Sequence, residues 1–546
     1  MNETLERNLL ALAAGHGRIA GLLSGTAPDP AVSFVKARSG ALVPIVERGG
    51  RSIRLHGLYD PAEDGRRAAG RPERSAFVLA YGLGAAWHIL PFLDDPRTSG
   101  VLCVEPDLRM ARSLVEAVDF ARVFADPRFT LLVDADPQAA GRELPGTFLP
   151  SIHGGLNSCP LRPRVELDRP WFEACALGID RALSAIRDDF SVQAHFGLAW
   201  FRNTVRNLPL AEGAYPPLPP IKKALVTAAG PSLEDQLEAV RTARNGAFLI
   251  ATDTSLPALT AAGLEPDLVV SIDCQHISYY HFVGNQPDIP LVLDLASPPT
   301  VARRFRDLRF VSSGHPFCRY VSAEWRNFPA IDTSGGNVAM AALSLAESLG
   351  AERAILYGAD YSYPEGSSYA RGTYIHRLFD DGAGRLRPLE SAFSGFLYRS
   401  DPLAREEDDR GFRYVSRPLE AYRSRLEAFA ARSRMRVSAA DGRGVALRLR
   451  GSVSGLRGRP RFFGAGSASM SASRFLAKYR DELAALGSPE TPAAVHLARV
   501  DAASRDLWTT LLPLAAALGG GSEHSPEDAL EAARRRALEI LGEALS

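Results

Sequence analysis

The sequence is short of cysteine, of net charge and of long apolar runs. Its 546 residues include five scattered cysteines and no C-x-x-C pair, so neither a disulfide framework nor a zinc ribbon is predicted. Lys and Arg together number 63, as do Asp and Glu, so nucleic-acid binding through a general positive charge is not expected. No run approaches the roughly 18 apolar residues of a membrane span. The start has no basic stretch before an apolar one, so we expect no secretory signal and a cytoplasmic protein.

What is present is an alternation of strands and helices, in a chain too long for a single core. An apolar strand at 76–80, a Gly-x-Gly turn, a helix and a strand ending in an acid predict one doubly wound unit, and a second opens at Lys223. We therefore predict an α/β fold with two Rossmann-like doubly wound domains joined by helices, and a mostly helical C-terminal region that includes a helix over 405–433. The predicted parts are an N-terminal segment (1–70), a Rossmann-like domain (71–165), a helical connector with a Pro-rich linker (166–220), a central catalytic domain (221–404) and a helical C-terminal domain (405–546).

Two turns of small residues in the central domain are candidate anion sites. The first, Gly230-Pro231-Ser232, joins a strand to a helix, and the free N–H groups at a helix N-terminus attract phosphate. The second stands directly before the apolar helix at 338–349 and consists of Thr333, Ser334, Gly335 and Gly336. Each alone is equally compatible with a plain turn or a helix cap. Together they predict that a nucleotide phosphate is held between them at the carboxyl edge of the sheet.

Three acids, Asp253, Asp273 and Asp360, follow predicted strand ends. Carboxylates at that edge can accept hydrogen bonds from ribose hydroxyls or hold a divalent ion, while helix capping is the plainer alternative. We place Thr254, which follows Asp253, in the same donor site. The residues leave metal binding open.

A loop rich in tyrosine and hydroxyl groups follows the strand that ends at Tyr357. Its phenols, among them Tyr363 and Tyr369, can donate hydrogen bonds to a leaving phosphate without a metal. His376 lies seven residues further on and is a candidate general base, although a lone loop histidine is more often simply solvated. His276 and His281 lie close to Asp273 in the sequence, where they could contact substrate or merely pack.

The segments AGPSL (229–233), TSGG (333–336) and YGADYSYPEGSSYA (357–370) resemble motifs of bacterial sialyltransferases that use CMP-activated nonulosonic acids. The segment 253–273 is more similar to a wider family with the same core. That family includes the motility-associated factors (Maf proteins), thought to glycosylate flagellin, and the archaeal 6-hydroxymethylpterin diphosphokinases (MptE-like proteins). The layout of the whole chain resembles Maf most.

The resemblance implies roles for the matching positions. Gly230 and Ser232 would face the nucleotide, Thr333-Ser334-Gly335 would hold the CMP portion, and Tyr363 and Tyr369 would bind the donor phosphate. The sequence departs from the sialyltransferase pattern at several places. Asparagines of that pattern are replaced by Ala229 and Asp253, Ile331 and Asp332 stand where a basic residue is usual, and His376 lies closer to the SSYA motif than the catalytic histidine does.

We therefore expect a glycosyltransferase that moves a nonulosonic acid (pseudaminic or legionaminic type) from a CMP donor to Ser or Thr of flagellin. It would require no cofactor, although a divalent metal is possible. The alternative is a Mg-dependent diphosphokinase of the 6-hydroxymethylpterin type, with Asp253, Asp267 and Asp273 holding the ion. A methyltransferase reading rests on Gly82, Gly84 and Glu105, and a binding module without enzymatic activity is the remaining option.

Overall fold

The structure, a computed structural model, describes residues 2–69, 76–284, 288–399, 402–449, 468–519 and 525–546. The chain divides into two units, one formed by Met1–Leu198 with Glu482–Leu538 and the other by Ala199–Asp481 with Glu539–Ser546. Each unit contains a parallel sheet with helices on both faces, so the predicted α/β class with two doubly wound units is confirmed. The finer division into five parts stays a prediction.

The first unit combines an antiparallel meander, β1-β2-β3, with a parallel sheet in the order β6-β5-β4-β7. A long helix, α9, connects it to the second unit in the chain. The elements are α1 (Glu3–Gly25), β1 (Val32–Lys36), β2 (Leu42–Arg48), β3 (Arg51–Arg54), α2 (Pro61–Ala69), β4 (Ala76–Tyr81), α3 (Leu90–Asp94), β5 (Thr98–Glu105), α4 (Leu108–Ala117), α5 (Ala121–Phe124), β6 (Phe129–Val133), α6 (Ala139–Thr147), α7 (Pro150–His153), β7 (Gly155–Pro160), α8 (Arg162–Leu167) and α9 (Arg169–Asn207).

The sequence of this unit explains its two-sided core. Strand β5 is buried along its whole length, as expected of a parallel strand covered on both faces. Helix α4 follows at once because the Asp107 carboxylate accepts the N–H groups of Arg109 and Met110 at its N-terminus. Helices α1 and α4 contribute to the core on one face of the sheet, and α6 and α9 contribute to the core on the other.

The second unit contains a seven-stranded parallel sheet in the order β12-β11-β10-β9-β8-β13-β17. The chain moves outward from β8 to β12 and then returns to β13 on the other side of β8. The carboxyl ends of β8 and β13 therefore flank the point where the strand order reverses, which is where open α/β sheets bind ligands. The elements are β8 (Lys223–Thr227), α10 (Leu233–Ala243), β9 (Phe248–Thr252), α11 (Leu256–Ala261), β10 (Leu268–Ser271), β11 (Leu291–Asp294), α12 (Pro299–Ala302), β12 (Leu308–Val311), α13 (Pro316–Glu324), α14 (Val338–Ser348), β13 (Arg353–Tyr357), β14 (Tyr363–Pro364), α15 (Tyr374–Asp380), α16 (Leu389–Leu397), β15 (Leu403–Asp408), β16 (Gly411–Ser416), α17 (Arg417–Arg432) and β17 (Arg436–Ala439).

The two faces of this sheet are covered by different helices. Helix α14 is small and apolar and lies in the core between the sheet and α17. Helices α10 and α11 contribute to the core on the opposite face. Short 3-10 helices occur at Leu208–Ala211, where the predicted Pro-rich linker begins, and at His276–Phe282.

The helix predicted over 405–433 is wrong in its first part, because β15 and β16 form an antiparallel pair there and α17 begins only at Arg417. The reversal uses Gly411, which has a φ of 107° and so lies in the region that favours glycine. Arg405 lies over the ring of Phe412 on the partner strand, a cross-strand contact typical of a sheet. Strand β17, which extends the main sheet, was also not predicted.

The rest of the described chain is helical, with α18 (Ala472–Ala485), α19 (Ala493–Arg499), α20 (Ala502–Thr510), α21 (Leu512–Leu518) and α22 (Pro526–Leu545). The last helix is capped by Ser525, whose hydroxyl accepts the N–H of Asp528. Within the described ranges, no helix has both the length and the apolar character needed to cross a membrane. All five cysteines are buried and unpaired.

Candidate functional site

The turn after β8 is tightly bonded to the loop after β13. The N–H of Gly230 donates to the carbonyl of Gly358 at 2.9 Å, and the N–H of Ser232 donates to Asp360 Oδ2 at 2.8 Å. A Cβ on Gly230 would lie 2.4 Å from Asp360 Oδ2 and 2.6 Å from the Gly358 oxygen. The close approach of these two loops therefore explains why residue 230 is a glycine.

A segment without regular secondary structure, residues 440–449, covers this turn and is called the strap from here on. The N–H of Arg443 donates to the Ser232 hydroxyl at 2.7 Å, and its guanidinium donates to the carbonyl of Pro231 at 3.0 Å. A cavity of about 290 Å³ lies beside the strap and β17, and Asp360 and Gln236 are among the residues that line it. The strap thus occupies the space where an anion at the N-terminus of α10 was predicted.

The tyrosine loop lies against the same turn. The N–H of Ala370 donates to the carbonyl of Ala229 at 2.9 Å, which fixes Tyr369 beside it. The rings of Tyr363 and Tyr369 both meet the ring of Phe396 in α16 edge-on, with centroids 6.5 and 6.0 Å away. Two predicted donor-site phenols therefore share one aromatic neighbour.

Asp253 and Asp273 follow the adjacent strands β9 and β10 at the carboxyl edge. Asp253 is buried, and its carboxylate accepts hydrogen bonds from the Ser271 hydroxyl at 2.6 Å and from the N–H of Thr254 at 2.7 Å. Asp273 is partly exposed and accepts the N–H of Gln275 at 2.9 Å. Thr254 thus holds Asp253 in place through its backbone.

The tyrosines and the two aspartates lie close enough for the charge of one group to shift the pKa of another. Burial raises the pKa of Tyr369, the nearby Tyr363, Asp253 and Asp273 raise it further, and the positive charge of Arg399 opposes them. Burial also raises the pKa of Asp273, and the negative charge of Asp253 adds to that shift. With its pKa raised, the Tyr369 phenol stays protonated and keeps a hydrogen to donate.

An aromatic wall lies beside Asp273 on the 3-10 helix at His276–Phe282. His281 is 6% exposed, and within the described residues its Nδ1 has no hydrogen-bond partner. The positive form of His281 would lower the pKa of Asp273, so the two side chains are electrostatic neighbours. Tyr374 meets His281 edge-on at 5.9 Å and stacks on Tyr280 at 5.1 Å.

The second predicted turn lies elsewhere along the sheet edge. The Thr333 hydroxyl donates to the carbonyl of Ser313, just beyond β12, and Ser334 donates through its N–H and hydroxyl to Asp332. Three strands separate β12 from β8, so these strands are about 19 Å apart. No hydrogen bond joins the two turns within the described chain. A Cβ on Gly335 would clash with Met340 and one on Gly336 with Tyr422, so tight packing explains both glycines.

Two further candidates lie apart from the tyrosines. His376 is 7% exposed, and its ring meets Phe393 at 5.7 Å. Asp267 accepts the N–H of Leu249 near the start of β9, four residues and so about 13 Å along the strand from Asp253 at its end. The set Asp253, Asp267 and Asp273 therefore does not form a common metal site, and no group of three or more His, Cys, Asp or Glu that could hold a metal occurs in the described residues.

In the first unit, the turn that suggested a methyltransferase is filled by protein. Glu105 accepts the N–H of Leu83 and hydrogen bonds from Nε and Nη2 of Arg164, the shortest at 2.5 Å, and both side chains are fully buried. A Cβ on Gly82 would lie 2.5 Å from the Arg164 side chain, and one on Gly84 would lie 2.5 Å from Leu161. Glu105, the carboxylate that would bind a ribose in a methyltransferase, is already paired with Arg164 of the same unit. The structure therefore does not support the methyltransferase interpretation.

Comparison with known proteins gives the family of the second unit. Residues 202–366 match the family described as 6-hydroxymethylpterin diphosphokinase MptE-like. Two uncharacterized proteins of Treponema pallidum (strain Nichols) are similar. One is 36% identical over 170 residues, which are 30% of this chain and 81% of the relative, and the other is 34% identical over 143 residues, which are 26% of this chain and 50% of the relative. The chain belongs to the MptE-like family.

The MptE-like region is only part of a larger similarity in fold. A Maf glycosyltransferase from Magnetospirillum magneticum AMB-1 has a TM-score of 0.58 and 15% identity, with all of this chain and 91% of that chain covered. The predicted resemblance to Maf proteins and to the MptE-like family is therefore confirmed, and at this identity the Maf likeness concerns the fold.

The MptE-like match ends at residue 366 and so leaves out Tyr369, Phe396 and Arg399. Phe396, Arg399 and the contacts of the strap were also not predicted from the sequence. The three-residue spacing of Phe393, Phe396 and Arg399 is a signal that could have placed the last two side by side where α16 ends.

Proposed function

We propose that this protein is a glycosyltransferase that moves a nonulosonic acid from a CMP-activated donor to a Ser or Thr of flagellin. The observation that carries the proposal is the grouping of Tyr363, Tyr369, Asp253 and Asp273 at the carboxyl edge of the second sheet. Protonated phenols suit a leaving phosphate and carboxylates suit sugar or ribose hydroxyls. The acceptor and the type of sugar rest on the resemblance to Maf proteins.

In the proposed reaction the acceptor hydroxyl oxygen attacks the anomeric carbon of the sugar. The bond from that carbon to the phosphate oxygen breaks, and CMP leaves with the electron pair. Tyr363 and Tyr369 donate hydrogen bonds to the phosphate as its negative charge grows, which lowers the barrier without moving a proton to the leaving group. The hydroxyl proton goes to a base on the acceptor side.

The contacts favour Asp273 with His281 as the groups that accept this proton. The pKa of Asp273 is raised by burial, which makes it a better base than an exposed aspartate, and His281 lies beside it with one ring nitrogen unpartnered in the described chain. His376, the base predicted from the sequence, packs against Phe393.

A Mg-dependent diphosphokinase is the second candidate, because the matched family carries that description. Its supporting feature is the pair Asp253 and Asp273, two carboxylates close enough for one to raise the pKa of the other. Asp267 lies at the other end of β9, so a third acid would have to come from elsewhere.

Calorimetry of the whole chain separates the two candidates. We expect binding of CMP and CMP-N-acetylneuraminic acid, and none of ATP with Mg²⁺. Binding of ATP with Mg²⁺ and no cytidine nucleotide would overturn the transferase proposal. Ser334→Ala tests whether the second turn contributes to CMP binding. If it does, the variant should bind CMP more weakly than the parent protein and melt at the same temperature.

The role of the phenols is tested by transfer from the same CMP donor to purified flagellin. Tyr369→Phe removes one donor to the phosphate, and such donors contribute about 100-fold in kcat. Tyr59→Phe, at an exposed tyrosine of the first unit, is the matched control and should leave the rate unchanged. Equal rates for Tyr369→Phe and the parent protein would contradict the placement of the leaving group.

A further inference from the structure

The proposed donor poses an electrostatic problem for this site. A CMP-nonulosonic acid carries a phosphate and a carboxylate, both negative, and the site already holds Asp253 and Asp273. The residues just ahead of Thr333 in the second turn, Ile331 and Asp332, supply no cation, and Arg432, which reaches this turn, is paired with Asp332 at 2.9 Å. A site for this donor therefore needs a positive group close to the tyrosines.

The arginines that reach the turn after β8 and the strap are already engaged. Arg443 pairs with Asp235 and Glu365 and donates to the carbonyl of Pro231. Arg413 pairs with Glu406 and Asp408 in the hairpin of β15 and β16. Their charges are balanced by carboxylates of the protein.

Arg399 differs from these. Its guanidinium carbon lies 4.0 Å from the centre of the Phe396 ring, the same ring that Tyr363 and Tyr369 meet edge-on. It is exposed, and it pairs with no carboxylate among the described residues. Its positive charge acts on Tyr369, as expected from their common neighbour.

This arrangement suits the recognition of a planar anion. A guanidinium stacked on an aromatic ring is held in orientation while its outer N–H groups stay free, and it matches a carboxylate with two parallel hydrogen bonds. An ammonium group at the same place would act as a point charge without that fork.

We propose that Arg399, held on Phe396, binds the carboxylate of the sugar in the donor and so selects acidic sugars. The inference rests on the proposed function, since it names what the same site recognises. Arg399 is a specificity-determining residue, and the tyrosines that share its aromatic neighbour bind the phosphate one side chain away.

Isothermal titration calorimetry with CMP and CMP-N-acetylneuraminic acid tests this assignment. The variants are Arg399→Gln, Arg399→Lys and the control Arg405→Gln, an arginine that stacks on Phe412 in the same unit. We expect Arg399→Gln to weaken binding of the CMP-sugar at least tenfold with CMP unchanged, Arg399→Lys to fall between, and Arg405→Gln to bind both as the parent does.

The opposing outcomes are distinct. Unchanged affinity of both Arg399 variants for the CMP-sugar overturns the inference and leaves the proposed function standing. An equal loss for CMP and the CMP-sugar overturns the carboxylate assignment, because CMP has only the phosphate. A parent protein that binds neither ligand overturns the proposed function and this inference with it. Circular dichroism melting confirms that each variant is folded. If Arg399→Gln does not fold, Arg399→Lys is used to test the assignment.

Discussion

The guanidinium of Arg164 lies against the carboxylate of Glu105 with both side chains fully buried, and its Nε and Nη2 are 3.0 and 2.5 Å from Oε1. Asp168 completes the arrangement at 2.6 Å from Nη1. Glu105 and Asp168 hold the pKa of Arg164 above its usual value although burial opposes this. The pair fills the carboxyl edge of the first sheet, which is where open α/β sheets bind ligands.

Removing one partner of this pair is expected to leave a buried, uncompensated charge. Arg164→Met should lower the free energy of unfolding by about 3–5 kcal/mol, measured by urea unfolding of the whole chain. The double variant Glu105→Leu with Arg164→Met should lose less than the sum of the single variants, because no lone charge remains. Arg66→Gln, at the exposed pair with Glu63, is the control and should leave the urea midpoint unchanged. Strictly additive losses would contradict the coupling.

Acid should weaken the first unit through its buried histidines. Burial lowers the pKa of His88 to about 4, and burial together with the charge of neighbouring His88 lowers the pKa of His56 to about 3. Each pKa lies below its unfolded value of 6.5, so the unfolded chain binds the proton first and stability is lost as pH falls below 6.5. At pH 5 the loss from His88 alone is about 2 kcal/mol.

Urea unfolding at pH 7 and pH 5, followed by tryptophan fluorescence, measures this effect. His88→Gln keeps a side chain able to donate to the Gly82 carbonyl that His88 contacts, and it should shrink the difference between the two pH values. Asp294 has the opposite effect on the pH dependence of stability. Burial raises its pKa to about 6, so its protonated form stabilises the fold at low pH, and this contribution is lost as pH rises from 4 to 6. The same pH difference in His88→Gln as in the parent would rule out the assignment to His88.

The sequence predicts most of the fold because its strands are short, continuous apolar runs that only a sheet covered on both faces can bury. Strand β5 is an example, since all of its residues are buried. Helix α14, which covers one face of the second sheet, is apolar and mostly buried in the same way. The hairpin at β15 and β16 escaped because its residues are mostly charged and exposed on β15, so no apolar alternation indicates a strand.

The candidate site could be predicted only in part. Asp253 and Asp273 were predicted to lie at one edge of the sheet because acids that follow parallel strands reach the same edge. The contact of Arg443 with Ser232 could not be found, since the two residues are 211 positions apart and no local pattern links them. For the same reason, the sequence could not show that the turn at the N-terminus of α10, predicted as an anion site, is bonded to the strap.

The two candidate bases can be separated by kinetics. His281→Ala should lower kcat about 100-fold with little change in the KM for the CMP donor, because the lost group acts on the acceptor hydroxyl. His376→Gln should change kcat less than threefold, since its ring packs on Phe393 rather than beside the carboxylates. The measurement is the initial rate of transfer to flagellin. The reverse ranking would return the base to His376.

The strap should be sensitive to the size of residue 444. A Cβ on Gly444 would lie 2.4 Å from both the Cα and the carbonyl oxygen of Asp360, which is backbone that cannot rotate away. Gly444→Ala is therefore expected to displace the strap and destabilise the second unit by about 1–3 kcal/mol. Gly384→Ala is the matched control, because a Cβ there meets nothing within 4 Å.

Because Asp360 Oδ2 accepts the N–H of Ser232, a displaced strap should also loosen the turn after β8. Gly444→Ala should therefore show faster hydrogen exchange of the amides at 230–232 than the parent, measured by mass spectrometry, and Gly384→Ala should not. Protection of 230–232 that is unchanged in Gly444→Ala, with stability lost, would mean that the turn keeps its geometry without the strap. The Ser232 amide would then be fixed by Asp360 alone.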